Sequence, residues 1–244
     1  MSVQSRVDNV AIPFIRSGGS YIKDAITFLQ DAGRSTILYK YTVMAISQFT
    51  VATSATVVGT GNGLCTAIAR IAGPSLIPGS YNLEVITKVA NGGVFKLEDP
   101  NGALIATGLA ITAGATSATV FNIGGLTFTI TDGSTDFEVG DAFAIVVTAV
   151  NKWVPLDPAA LDGSEIFAGI FMGDNITAAA LVAGDVEDNP VLVGGACTID
   201  TEQLIFENSA TLATLQSNGK TIEQSMAEYG IFAESTVDID SYEN

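Results

Sequence analysis

No helix suits Leu126-Thr127-Phe128-Thr129-Ile130-Thr131, where apolar residues and threonines alternate without a break. Side chains of a strand point to opposite faces in turn, so this pattern writes a half-buried β-strand. The same period of two recurs where Tyr81, Leu83 and Val85 alternate with Asn82 and Glu84, and where Phe95 and Leu97 alternate with Lys96 and Glu98. Phe143-Ala144-Ile145-Val146-Val147 is a more deeply buried strand. Turn chemistry separates these runs. Asp99-Pro100-Asn101-Gly102 suits a type I turn, and Asn91-Gly92-Gly93 and Thr131-Asp132-Gly133 serve likewise. Six or seven short strands between about Thr50 and Val150 predict a small β-sandwich or barrel.

The flanks of this stretch give it boundaries. Residues 47–56 hold no charge, Gly59-Thr60-Gly61-Asn62-Gly63 is a flexible lead-in, and the last strand runs on into Asn151-Lys152-Trp153. Residues 50–149 are therefore expected to form a domain inserted into a host domain made of residues 35–49 and 150–244, with the two ends of the insert close together. In the host, the apolar runs Ile166–Met172 and Val191–Cys197 flank an Ala/Gly stretch. Thr221 and Gln224 form a capping box that starts one short C-terminal helix, with Ile222, Met226 and Tyr229 as its apolar stripe and Gly230 as its stop.

Residues 1–34 are expected to be an extended arm. Ser17-Gly18-Gly19-Ser20 is a flexible break, and Ile22, Ala25, Ile26 and Leu29 follow at helical spacing with Gly33 as a C-cap. A lone helix of that length is marginal in water and would order only against a partner. Charge singles out the same segment. The chain carries 10 Lys+Arg against 26 Asp+Glu, a net of −16, yet Arg6, Arg16, Lys23, Arg34 and Lys40 fall in the first forty residues, which hold only three acids. A basic arm on an acidic protein suits an acidic partner that the remaining surface would repel.

The same balance argues against nucleic acid, since phosphate binding needs surplus Lys and Arg. The chain has no histidine, which removes Ser-His-Asp and Cys-His catalysis and every His-ligated metal. Cys65 and Cys197 read as small buried hydrophobes. No apolar run is long enough to span a membrane, and the N-terminus lacks a secretory pattern, so synthesis in the cytoplasm is expected.

Other chemical motifs fail on inspection. Gly219-Lys220-Thr221 lacks the first glycine and leading strand of a phosphate loop, and Gly59–Gly63 continues into a strand where a dinucleotide site needs a helix. Asp132–Asp141 alternates oxygen side chains as a calcium loop does, but has Phe137 where the tight turn needs glycine and Phe143 where the last ligand belongs, so a polar turn is expected, with calcium binding as the alternative. Glu187 and Asp188 lack an apolar setting that would part their pKa values. No catalytic, cofactor or metal residue is therefore named, and the chain is expected not to be an enzyme.

Lys152-Trp153-Val154-Pro155-Leu156-Asp157, then Asp162-Gly163-Ser164, then Ala168-Gly169-Ile170, resemble the core of lambda-type bacteriophage head decoration proteins. Pro190–Cys197, Leu204-Ile205-Phe206 and Glu228–Phe232 look like later segments of that family, and Ile37–Met44 takes the place of the strand that leads into its core. Residues 50–149 separately resemble a small β module of tailed-phage structural proteins, through Gly61-Asn62-Gly63, Pro78–Tyr81, Asn91–Phe95, Asp99–Gly102 and Asp136–Asp141.

The resemblance implies a mainly β, β-clip-like domain that assembles as a homotrimer. It implies a structural virion protein that binds the major capsid protein on the outer surface of an expanded capsid, at three-fold positions, and stabilises the shell. Trp153, Pro155, Leu156, Asp162 and Gly163 carry the core motif, and in the family the N-terminal arm orders on the shell; the insert, a departure from the family that replaces a tight turn, is expected to project outward. The competing expectation is a β-rich surface or adhesion module that binds a glycan or protein ligand, which should carry an export signal. A cytoplasmic protein with an apolar ligand pocket comes next, and a hydrolase last.

Overall fold

The computed structural model describes residues 14–72, 74–111 and 118–234. It is mainly β, with 54% strand and 7% helix, so sheet packing builds the cores. The strands are β1 (Ile15–Phe28), β2 (Val43–Val51), β3 (Ala55–Val58), β4 (Leu64–Arg70), β5 (Gly79–Val89), β6 (Gly92–Glu98) and β7 (Leu104–Ile111). They continue with β8 (Ala118–Ile123), β9 (Leu126–Thr131), β10 (Ala142–Pro155), β11 (Phe167–Phe171), β12 (Val186–Asp200) and β13 (Ile231–Glu234). Two short α-helices, α1 (Ala178–Ala183) and α2 (Ile222–Glu228), and a 3-10 turn at Thr201–Gln203 complete the elements of the described residues. The chain divides into two compact units, one of residues Met1–Ile46, Lys152–Ala160 and Ser164–Asn244, the other of Ser47–Asn151 with Leu161–Gly163.

In the first unit the strand order β1-β12-β11-β2-β10 closes into a five-stranded barrel, because Phe28 at the end of β1 pairs in parallel with Trp153 near the end of β10. β13 adds in parallel to the second half of β12, from Cys197 opposite Ile231 to Asp200 opposite Glu234. β11 and the first half of β2 are buried on both faces. In β2, Val43 and Ala45 join one cluster with Phe167, Leu192 and Met226, while Met44 joins another with Phe28, Trp153 and Phe171. Double burial replaces alternation with continuous apolar runs, which is why 166–172 and 191–197 read as they do.

The helix expected from Ile22 to Leu29 and the flexible break at 17–20 are both overturned. β1 pairs antiparallel with β12 from Ile15 opposite Ile199 to Phe28 opposite Val186, through four register shifts. Each shift slips the alternation, and the slipped apolar positions mimic helical spacing. Ala25 lies at φ +58 and Gly18 at φ +85, left-handed backbone that belongs to such irregularities. A Cβ on Gly18 would lie 1.8 Å from the Ala196 carbonyl oxygen, so close strand approach requires this glycine. Gly33 lies in a turn closed by the Arg34 N–H on the Asp31 carbonyl. Residues 15–28 are thus a barrel stave, not part of a separate arm.

Helix α2 starts as its sequence predicts. The Gln224 N–H donates to Thr221 Oγ1 at 3.2 Å and the Thr221 N–H to Gln224 Oε1 at 2.9 Å, and Ile222 and Met226 are fully buried. Tyr229 is half-exposed with its ring edge-on to Phe167, and Gly230 ends the helix at φ +75. Helix α1 was not expected from its Ala/Gly stretch; the Thr177 hydroxyl caps it by accepting from the Ala180 N–H.

The second unit is a sandwich around one core. β10 pairs with β3 and β5, and the two paths continue as β3-β4-β9-β8 and β5-β6-β7. Leu126, Phe128 and Ile130 of β9 face Leu83, Phe95 and Phe143, all fully buried. Phe137 stands edge-on to Phe95 at 5.3 Å and to Phe143 at 5.8 Å. The segment 59–63, expected to be flexible, is pinned: Asp141 accepts from the Thr60, Gly61 and Glu138 N–H groups at 2.8, 2.8 and 2.9 Å. A Cβ on Gly63 would lie 2.1 Å from the Phe137 ring, so the glycines serve close packing here.

Candidate functional site

The five basic residues of the proposed arm do not act as one group. Arg6 lies outside the described residues. Arg16 pairs with Asp200 at 3.1 Å. Burial alone would raise the Asp200 carboxyl, but bonds from Gln203, the Glu202 N–H and Arg16 hold it below its ordinary value. The Arg34 side chain is buried and fastens the chain to itself, donating to Glu207 Oε2 at 3.0 Å and to the carbonyls of Thr36 and Ile37. Lys40 lies 5.2 Å from the centre of its neighbour's ring, Tyr41. Lys23 is exposed on β1.

The motif residues divide as well. Trp153, Pro155 and Leu156 belong to the barrel unit, where Trp153 and Leu156 are buried. Gly169 can carry no side chain there, because a Cβ would lie 2.7 Å from the Leu192 carbonyl oxygen and 3.1 Å from the Trp153 ring. Asp162 and Gly163 group with the sandwich unit instead. The Ser47 hydroxyl donates to Asp162 Oδ2 at 2.7 Å, the Gln48 N–H donates to the Asp162 carbonyl at 2.7 Å, and Gly163 turns at φ +103.

What the barrel offers a partner is the outer edge of β1. One side of this strand is paired with β12 along its length, whereas among the described residues its other side meets a strand only at Phe28. Residues 17–25 are exposed, with Tyr21 62% and Ile22 37% accessible. Unpaired N–H and C=O groups on such an edge are a template for an incoming strand. Composition hides this edge behind Gly18-Gly19-Ser20. The signal for it is across the sheet, where Ser20 and Tyr21 face Gly195 and Gly194.

The acids of the Asp132–Asp141 loop are each engaged differently, and no set of three metal-ligating residues converges among the described residues. Burial would raise the Asp141 carboxyl, yet its three backbone N–H bonds keep it below the ordinary value. Asp136 accepts from the Asn91 N–H and Glu138 pairs with Lys88. Asp132 is buried, and desolvation pushes its pKa up against the opposing pull of the Gly133 N–H. Both thiols are buried, and burial pushes Cys65 up to about 12, far from a reactive thiolate. No described helix is long and apolar enough to cross a membrane.

No family model matches the chain, and no curated protein matches it. Among solved structures, Xanthomonas campestris FlgL is similar with 23% identity and a TM-score of 0.29, over 45% of this chain and 34% of that one. At that score the likeness carries no argument about fold or function.

Proposed function

We propose that this chain is a structural virion protein that binds the major capsid protein on the outside of an expanded tailed-phage head. In this reading it acts as a homotrimer at three-fold positions and stabilises the shell. The observation that carries the reading is that most decoration-type segments share one unit, with Trp153 and Val191 in one buried cluster and Leu156, Ile170, Leu192, Cys197 and Ile231 in another, while Asp162 and Gly163 fall outside it. The exposed β1 edge supports it as a surface suited to strand addition.

The work is mechanical. A protein that binds only the assembled shell stabilises it by about 2.7 kcal/mol per site at a hundredfold excess over Kd. Three linked contacts on one trimer act by effective concentration, so each can be weak. Attachment is assigned to β1, with Tyr21, Ile22 and Lys23 as the contact residues, in place of a detachable arm of residues 1–34; removing those residues would take out a barrel stave. Calorimetry of expanded heads tests this. Added protein should raise the melting temperature of the heads, and Tyr21→Asp with Lys23→Glu should abolish the rise while the protein stays folded. Heads that melt unchanged with the unaltered protein would overturn the reading.

A further inference from the structure

The sandwich unit has two outer sheet faces, and they differ in charge. On the face built by β5 and β6, Asn82 stands opposite Glu98 and Glu84 opposite Lys96, and Lys96 holds Glu84 at 3.1 Å and Glu98 at 2.9 Å. The other face is built by β3-β4-β9-β8. Cross-strand partners share a face, so Thr66, Thr129 and Val120 form one outward row, and Leu64, Thr131 and Ala118 the next. These four strands hold one charged residue, Arg70 at the end of β4, and its guanidinium is tied to the carbonyls of Leu161 and Pro74. Val58, Leu64 and Val120 are each more than half exposed. A chain of net charge −16 thus presents one sheet face of threonines and apolar residues with no acid on it.

That face ends at β8, which among the described residues pairs only with β9. Folded proteins protect such edges with charge, bulges or short length. β1 has four register shifts and carries Arg16, Lys23 and Asp24, β7 has two shifts and Gly108 at φ +75, and β13 spans only Ile231–Glu234. β8 has none of these devices. Its pairs run from Ala118 opposite Thr131 to Ile123 opposite Leu126 without a shift, and it holds no charge and no proline. Charge selects the occupant. A partner recognised through opposite charge finds nothing on this face to pair with, and two acidic molecules repel wherever their acids meet. A second copy brings the same uncharged face by symmetry. We infer that two copies of this chain join by antiparallel pairing of their β8 edges about a two-fold axis. Such an axis keeps outward side chains outward, so β3-β4-β9-β8 of one copy continues into the same strands of the other, with Val120 beside the seam in both. The inference does not rest on the capsid reading.

Sedimentation equilibrium of the full chain, at up to about 500 μM, tests it. The expected mass is that of two chains, or of six where the trimer of the capsid reading also forms. A contact this small predicts a Kd of about 10–100 μM. Val120→Lys places like charges across the seam and should weaken the pairing at least about tenfold, as should Val120→Glu, and an equal mixture of the two variants should pair again. Val120 is 61% exposed, so neither variant disturbs the core, and Asn122→Lys, also exposed on β8, repeats the test at a second position. A mass of one chain or of three at the highest concentration, a doubled mass that both Val120→Lys and Asn122→Lys leave unchanged, or a Lys/Glu mixture that stays unpaired would each overturn the inference.

Discussion

In the sandwich unit, β9 buries Leu126, Phe128 and Ile130 and keeps its three threonines at the half-exposed face; in the barrel unit, β2 sends Val43 and Ala45 to one core cluster and Met44 to another. A strand with one wet face must alternate, and a strand covered on both faces need not. The units also differ in charge. The sandwich holds three basic and eight acidic residues, and the barrel unit seven and eighteen, so each unit is acidic but the barrel unit carries most of the excess. The difference shows why one unit is written plainly as β and the other conceals even its longest strands.

The comparison breaks first at the cores. Phe143→Ala should cost the sandwich about 3–5 kcal/mol, and Phe28→Ala should cost the barrel a similar amount, since both rings are almost fully buried. Trp153, the only tryptophan, reports the barrel. In urea, Phe28→Ala should shift the fluorescence transition, whereas Phe143→Ala should shift the circular-dichroism transition and leave fluorescence in place. Equal shifts of both signals would show that the two cores melt as one. Next in size, Asp141→Ala should destabilise the sandwich by about 2–3 kcal/mol by freeing three backbone donors.

Acid sharpens the contrast within that unit. The folded-state pKa of Asp141 is lowered, so its contribution is present above the ordinary 3.8 and disappears as pH falls through the lower folded value. Asp132 has the opposite sign. Its folded-state pKa is raised, so the unit is favoured while Asp132 is protonated and loses stability as pH climbs from 3.8 through the raised value. Asp132→Asn should therefore be neutral or stabilising by about 1 kcal/mol at pH 7, and melting followed against pH should lose this fall in the variant. The smallest effect is expected at the open edge: Tyr21→Ala should change stability by less than about 0.5 kcal/mol in a thermal melt, because the ring is already in water.

Local chemistry made much of this legible. The alternation of β5, β6, β9 and β10 places their buried residues, the Asp99–Gly102 turn closes with the Gly102 N–H on the Asp99 carbonyl, and the Thr221–Gln224 box starts α2. β1 was not legible, because four register shifts erase its period and its pairing partner lies more than a hundred residues away. Arg16 and Arg34 look available in sequence, but their acids, Asp200 and Glu207, come from the far end of the chain.

Attachment to an assembled shell is the claim on which the proposed function stands, and co-sedimentation with expanded heads of a tailed phage measures it directly. The account predicts saturable pelleting with expanded heads, at one trimer per three-fold position, and none with unexpanded proheads. Protein that stays in the supernatant, or pellets equally with both, would contradict it.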